Sequence, residues 1–318
     1  MTQASSVPRR SDFKNTYIGR ARPLCAVLAR PKSYIRSVRM KTKKLNVIYA
    51  ILFAVWLIGV VIASVYDLDI SRAVANPDSR FGRLLEVAGE PPAILFTSFN
   101  FALIASYFFR FSKLRARDIA LGILTAVGCV GTTMYTCFRT LKYIAEYPEH
   151  VLNIIYTSAI SLFIIVFFAL TALLMSEKSL KKYFDTACRC AIVGVAAFVI
   201  IWLFKLTWGR VRPRQLAGDL SLFTPWYLPQ GFTGYFSFPS GHTANATVIF
   251  SSVYYLKFLP ERLKKYKPFI ITLIAAWIAA VAFSRVLVGA HYLSDVLFGA
   301  AITLAIVYFI GRNDKNVH

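Results

Sequence analysis

Acidic residues are scarce in this chain, and their scarcity is the first thing to interpret. Its 318 residues hold 15 Asp and Glu against 37 Lys and Arg, a formal net charge of +22. Such a balance can mean a nucleic-acid partner, but here the cations lie in short blocks between apolar runs. That is the pattern of loops facing an anionic leaflet, so no nucleic-acid partner is expected. Cysteine is sparse too. Cys188-x-Cys190 has no second Cys or His pair beside it, which argues against a zinc site. No apolar core follows the first charges closely enough for a cleaved signal peptide. No polar stretch is long enough to form a soluble domain of any size.

What the chain has in abundance is apolar sequence: 57% hydrophobic residues and a mean hydropathy of +0.56. Runs of about 20 apolar residues are long enough to cross a bilayer. They fall at residues 45–66, 91–110, 118–138, 151–175, 187–204, 242–259, 268–286 and 292–310. The fold class is therefore all-α, a polytopic transmembrane helical bundle. Residues 67–90 read as a polar connection, with 81–88 lying in the interface and Phe81, Leu84 and Leu85 facing lipid. Pro91 and Pro92 open the second span, where proline is tolerated. Residues 1–44 form a basic tail, and 24–40 could be a helix on the inner leaflet or remain disordered. Basic blocks precede the first span and follow the second, fourth, sixth and eighth. The positive-inside rule then puts both termini in the cytoplasm.

Three clusters share the opposite, external face. The first, Lys205-Leu-Thr-Trp-Gly-Arg210-Val-Arg212-Pro213, puts cations where that rule expects few. Lys205 and Arg212 are seven residues apart and share a face if helix persists between them. In the second, Pro239-Ser240-Gly241-His242 opens an apolar helix. Ser240 is its N-cap, Gly241 lets an anion approach the backbone, and the free N–H groups cradle phosphate. The third holds Ser284, Arg285, His291 and Asp295. The last two are four residues apart and so meet on a helix, where a carboxylate can orient an imidazole for attack. Together they can hold a phosphate, attack it and protonate what leaves. The residues alone leave open which histidine attacks.

Lys-x6-Arg-Pro, Pro-Ser-Gly-His and Ser-Arg-x5-His-x3-Asp, in this order, resemble the three-part signature of the type 2 phosphatidic acid phosphatase superfamily, with no position missing. The resemblance implies a six-helix phosphatase core over residues 118–318, with two additional N-terminal transmembrane helices in 45–117. It implies that His291 is the nucleophile that forms a phosphohistidine, that Asp295 orients it, and that His242 protonates the leaving oxygen. Lys205, Arg212, Arg285, Ser240 and the Gly241 amide would bind phosphate, with no metal and no cofactor.

The loop between the first two clusters holds Phe223, Trp226, Tyr227, Phe232, Tyr235, Phe236 and Phe238. Aromatics at headgroup depth either anchor the chain or contact substrate tails. A phosphorylated membrane lipid is the expected substrate. Lipid A comes first among the bacterial candidates, followed by phosphatidylglycerophosphate, phosphatidic acid and undecaprenyl diphosphate. The expected location is the bacterial cytoplasmic membrane, with the active site facing the periplasm. A lipid-to-lipid phosphotransferase and a non-enzymatic lipid binder or transporter are the alternatives. A transporter would place its polar groups near the midplane rather than at one interface.

Overall fold

The computed structural model describes residues 32–111, 115–145 and 151–312, and regular structure among them is helical throughout. The chain falls into two compact units, Met1–Leu57 and Ile58–His318. The described part of the first is helical, with Phe53 and Trp56 in ring contact at 5.7 Å. The second unit carries all of the chemistry discussed below.

Helix α1 runs Lys32–Val74. It continues past Asp67, where the hydropathy pattern stops, because Asp67 is buried and ion-paired rather than solvated. Helix α2, Arg80–Ala88, starts at Ser79, whose side chain accepts from the Gly82 amide at 3.2 Å. Its outer face is apolar as expected, with Phe81 and Leu84 exposed. Leu85, however, is buried with Ala246 and Val281, because α2 packs against α8. Helix α3, Pro91–Phe111, begins at the expected proline pair. Helices α4 (Ala116–Ala145), α5 (Val151–Leu174) and α6 (Glu177–Trp208) follow.

Helix α7 is only Gly241–Val248, and the chain then winds as 3₁₀ helix over Ile249–Phe258 and Glu261–Tyr266. Helices α8 (Lys267–Leu287) and α9 (Leu293–Gly311) complete the described chain. Seven helical stretches among the described residues are long and apolar enough to cross a membrane. Residues 242–259, expected as a span, are not among them. Buried Thr243, Thr247 and Ser251 dilute the apolar character there. Thr247 Oγ1 and Ser251 Oγ donate back to the carbonyls of Thr243 and Val248, a habit that bends helices.

Two contacts position the site. Helix α3, expected as part of an N-terminal addition, packs on α4, α6 and α7. Leu103, Leu180, Ala187 and Ala191 form one buried cluster along these helices. Helix α9 packs on α7 so closely that a Cβ at Gly299 would lie 2.6 Å from the Ser240 carbonyl oxygen. The ends of α6 and α8 and the starts of α7 and α9 therefore meet at one place, together with the α2–α3 junction.

Gly209 caps α6 in the left-handed region, at φ 60°. A Cβ there would lie 2.3 Å from the Gly231 carbonyl oxygen, whereas one at Gly131 meets nothing within 4 Å. Gly209→Ala is therefore expected to cost about 1–3 kcal/mol of stability. Thermal unfolding in detergent checks this, with Gly131→Ala, inside helix α4, expected to be at least as stable as the parent.

Candidate active site

Lys205 sits in the last turn of α6, 8% exposed, with its Nζ donating to the Phe236 carbonyl at 2.6 Å. The helix does not persist to Arg212. Gly209 ends it, and Arg212 is extended at the start of a 3₁₀ turn, Pro213–Gln215. Lys205 and Arg212 converge even so, because both line the same cavity. The turn sends Arg210 elsewhere. Its Nη1 donates to Asp295 Oδ1 at 2.7 Å and its Nη2 to Asp67 Oδ2 at 2.8 Å, with the guanidinium 4.0 Å over the Tyr292 ring.

At α7, Ser240 is the N-cap, as expected. Its Oγ accepts from the Thr243 amide at 3.3 Å and contacts Thr243 Oγ1 at 3.0 Å. Gly241 opens the helix, and the cavity reaches its backbone and the His242 ring. The His242 ring nitrogens lie 3.5 Å from Glu90 Oε1 and 3.3 Å from the Glu86 carbonyl oxygen.

His291 precedes α9 rather than lying on it, so the expected one-face helical pairing with Asp295 does not apply. Tyr292 is the N-cap, and Asp295, in the first turn, reaches back. Asp295 Oδ2 accepts from the Tyr292 amide at 3.0 Å and from Ser237 Oγ at 2.5 Å, and it lies 3.4 Å from His291 Nδ1. The other His291 ring nitrogen makes no hydrogen bond among the described residues, and the ring lines the cavity. Burial pushes the His291 imidazole down to about 3, against the pull of Asp295, so the ring is neutral at physiological pH. Burial likewise lowers His242 to about 4, with Glu90 pulling the other way.

These side chains surround a cavity of about 380 Å³. Lys205, Arg212, Gly241, His242, Arg285 and His291 line it; Ser240 and Asp295 do not, being buried beside it. Arg139, Lys142 and Arg214 add three cations to the wall, against the carboxylates Glu86 and Glu90. Arg285 donates Nη2–H to the Gly82 carbonyl at 2.7 Å, and its Nη1 lies 3.3 Å from Glu86 Oε1. Arg212 Nε is buried with no hydrogen-bond acceptor, as a donor awaiting an anion would be, and Arg285 Nη1 makes no hydrogen bond beyond its ion pair with Glu86. Among the described residues, no group of three or more His, Cys, Asp or Glu is placed to hold a metal ion.

The motifs did not mark Asp67, Glu86, Glu90 or Arg139. The available signal was chemical: carboxylates and an arginine at the ends of apolar helices need partners. A second cavity of about 290 Å³, almost wholly apolar, adjoins the first. Ala93, Ile94, Gly131 and Val195 line it, and it shares Tyr135, Phe198 and Asn245 with the cationic one.

A helical membrane-type bundle with a cation-walled cavity flanked by two imidazoles defines the class. Residues 185–316, which contain all three clusters, match the PAP2 superfamily. It is similar to phosphatidylglycerophosphatase B of Bacillus subtilis (strain 168), 32% identical over 110 residues, or 34% of this chain and 54% of that protein. The chain thus matches about half the length of this curated relative. No solved structure matches it.

Arg210 and Arg212 should respond differently to substitution. Arg210→Met leaves Asp67 and Asp295 buried without their shared cation, at a cost of about 3–5 kcal/mol. Size-exclusion profiles in detergent should show loss of folded Arg210→Met protein, while Arg212→Met elutes as the parent.

Proposed function

We propose that this protein is a membrane lipid phosphatase working through a phosphohistidine on His291. The observation that carries the proposal is the pair of buried imidazoles on one cationic cavity, one ring held by a carboxylate and otherwise unbonded. The substrate phosphoryl group lies among Lys205, Arg212, Arg285 and the Gly241 amide, whose positive charge stabilises the oxygens as charge develops. Neutral His291 attacks phosphorus through Nε2. As that bond forms, the ester P–O bond breaks and His242 gives a proton to the leaving oxygen. Water then attacks the phosphohistidine, His242 takes a proton from the water, and His291 and inorganic phosphate are released. Asp295 holds the attacking ring and stabilises it as it becomes cationic. A phosphate anion beside His242 offsets the burial that otherwise strips its proton. The chemistry uses no metal.

Counted over the eight expected spans, with residues 242–259 as a crossing, the positive-inside pattern supports an external, periplasmic site with cytoplasmic termini in a bacterial inner membrane. The apolar cavity next to the anion cavity suits an amphiphile, with the phosphate in one and the start of a hydrocarbon tail in the other. Lipid A is the first expectation from sequence, whereas the relative's name favours phosphatidylglycerophosphate. Both belong in a panel of lipid phosphates given to purified protein, with released phosphate measured.

His291→Ala should reduce release to background, and His242→Ala should lower it roughly 10²–10⁴-fold, with both variants still in the membrane fraction. Comparable activity in His291→Ala would remove the covalent route, and a strict metal requirement in chelator would mean another chemistry. Gly131→Trp, filling the apolar cavity, should slow long-chain lipid phosphates more than a short-chain analogue. Equal effects on both would remove the tail assignment.

A further inference from the structure

Glu90 ends the α2–α3 junction and lies outside the matched residues 185–316. Its side chain is 6% exposed. A carboxylate buried this far needs partners, and it has three. Arg139 Nη2 donates to Oε2 at 2.9 Å, and Asn245 Nδ2 donates to Oε1 at 2.9 Å. The third is His242, whose Nδ1 lies 3.5 Å from the same Oε1. Asn245 follows His242 by three residues on α7, so one carboxylate oxygen is tied to the helix that carries the ring. Arg139 is fixed in turn by Tyr143 Oη at 2.7 Å and Tyr135 Oη at 3.3 Å. The other His242 nitrogen faces the Glu86 carbonyl oxygen at 3.3 Å. With an acceptor at each nitrogen, only the doubly protonated ring can donate to both.

Several charged groups act on this ring. Glu86 of α2 and Glu90 favour its proton, while Arg139 of α4 and Arg285 of α8 oppose it, and Tyr143 lies against it at 5.7 Å. Burial and two cations act against a proton on this ring, and the Glu90 carboxylate at its edge acts for it, together with the substrate phosphate.

We propose that Glu90 is the positioning residue for His242: it orients the ring and keeps on it the proton delivered to the leaving oxygen. This rests on the phosphatase reading above. The machinery would then include a carboxylate and an arginine contributed by α2–α4, segments outside the matched region. Glu90 does not touch substrate; it acts through the imidazole.

The test compares leaving groups. Glu90→Gln keeps the size and most hydrogen bonds but removes the charge. An alkyl phosphate needs its leaving oxygen protonated, whereas p-nitrophenyl phosphate does not. Glu90→Gln should lower kcat on the alkyl phosphate roughly 10–100-fold and on p-nitrophenyl phosphate less than about threefold. Removing the carboxylate lowers the pKa of His242, and the acid works only while protonated. The basic limb of the pH profile should therefore move to lower pH. Should Glu90→Gln not fold, Glu90→Asp, which draws the carboxylate back from the ring, is expected to show the same leaving-group bias. Equal losses on both substrates with an unmoved pH profile would make Glu90 merely structural and overturn the proposal. Wild-type protein that hydrolyses neither substrate would overturn the phosphatase reading, and this inference with it.

Discussion

A buried ionic cluster, Asp67–Arg210–Asp295, is the constraint on which the site depends. Both carboxylates and the guanidinium are no more than 2% exposed. Removing three charges from water costs several kcal/mol for each ion, and their attraction offsets it only when every lone pair is used. Here they are used. Asp67 takes the Ser294 amide at 3.0 Å as well as Arg210, and the Ser294 hydroxyl also bonds to it. Asp295 takes Arg210, Ser237 and the Tyr292 amide. With these bonds made, Asp295 has one orientation left, and that orientation faces His291. The His291 imidazole is thus aimed by a network that reaches from α1 to α9.

That arrangement changes how the N-terminal helices are understood. The family resemblance sets residues 45–117 apart from the core expected over 118–318, and the family match begins only at residue 185. Yet Asp67, 143 residues from Arg210 in sequence, closes the ionic cluster. Gly82 holds Arg285 through its carbonyl, and Glu86 and Glu90 face His242. Helix α3 packs along α4 and α6 within the compact unit Ile58–His318. These segments are part of the wall of the site, and the acidic residues they supply balance an otherwise cationic cavity.

The helical class and the convergence of the three clusters were legible in the sequence, because each cluster carries its own local logic. A cap, a glycine and a proline fix short turns whatever surrounds them. Relations that depended on helix persisting were not legible. Gly209 breaks the run between Lys205 and Arg212, and Tyr292 starts α9 just after His291. The pairs still meet, by turn and cap geometry instead of helical periodicity. The split between neighbouring arginines, with Arg210 inward to the carboxylates and Arg212 to the cavity, is a tertiary outcome that alternation alone does not encode. Glu90 and Arg139 escaped notice because their partners lie far away in sequence, 155 residues in the case of Glu90 and Asn245.

The central claim is that one cation-walled cavity brings phosphorus to a neutral, carboxylate-held His291. Rapid quenching of the purified protein during turnover of a lipid carrying radiolabelled phosphate tests it directly. The account predicts an acid-labile, base-stable label that maps to His291 and vanishes when unlabelled substrate is chased in. A protein that releases phosphate yet never carries label at His291, or carries it elsewhere, would contradict it.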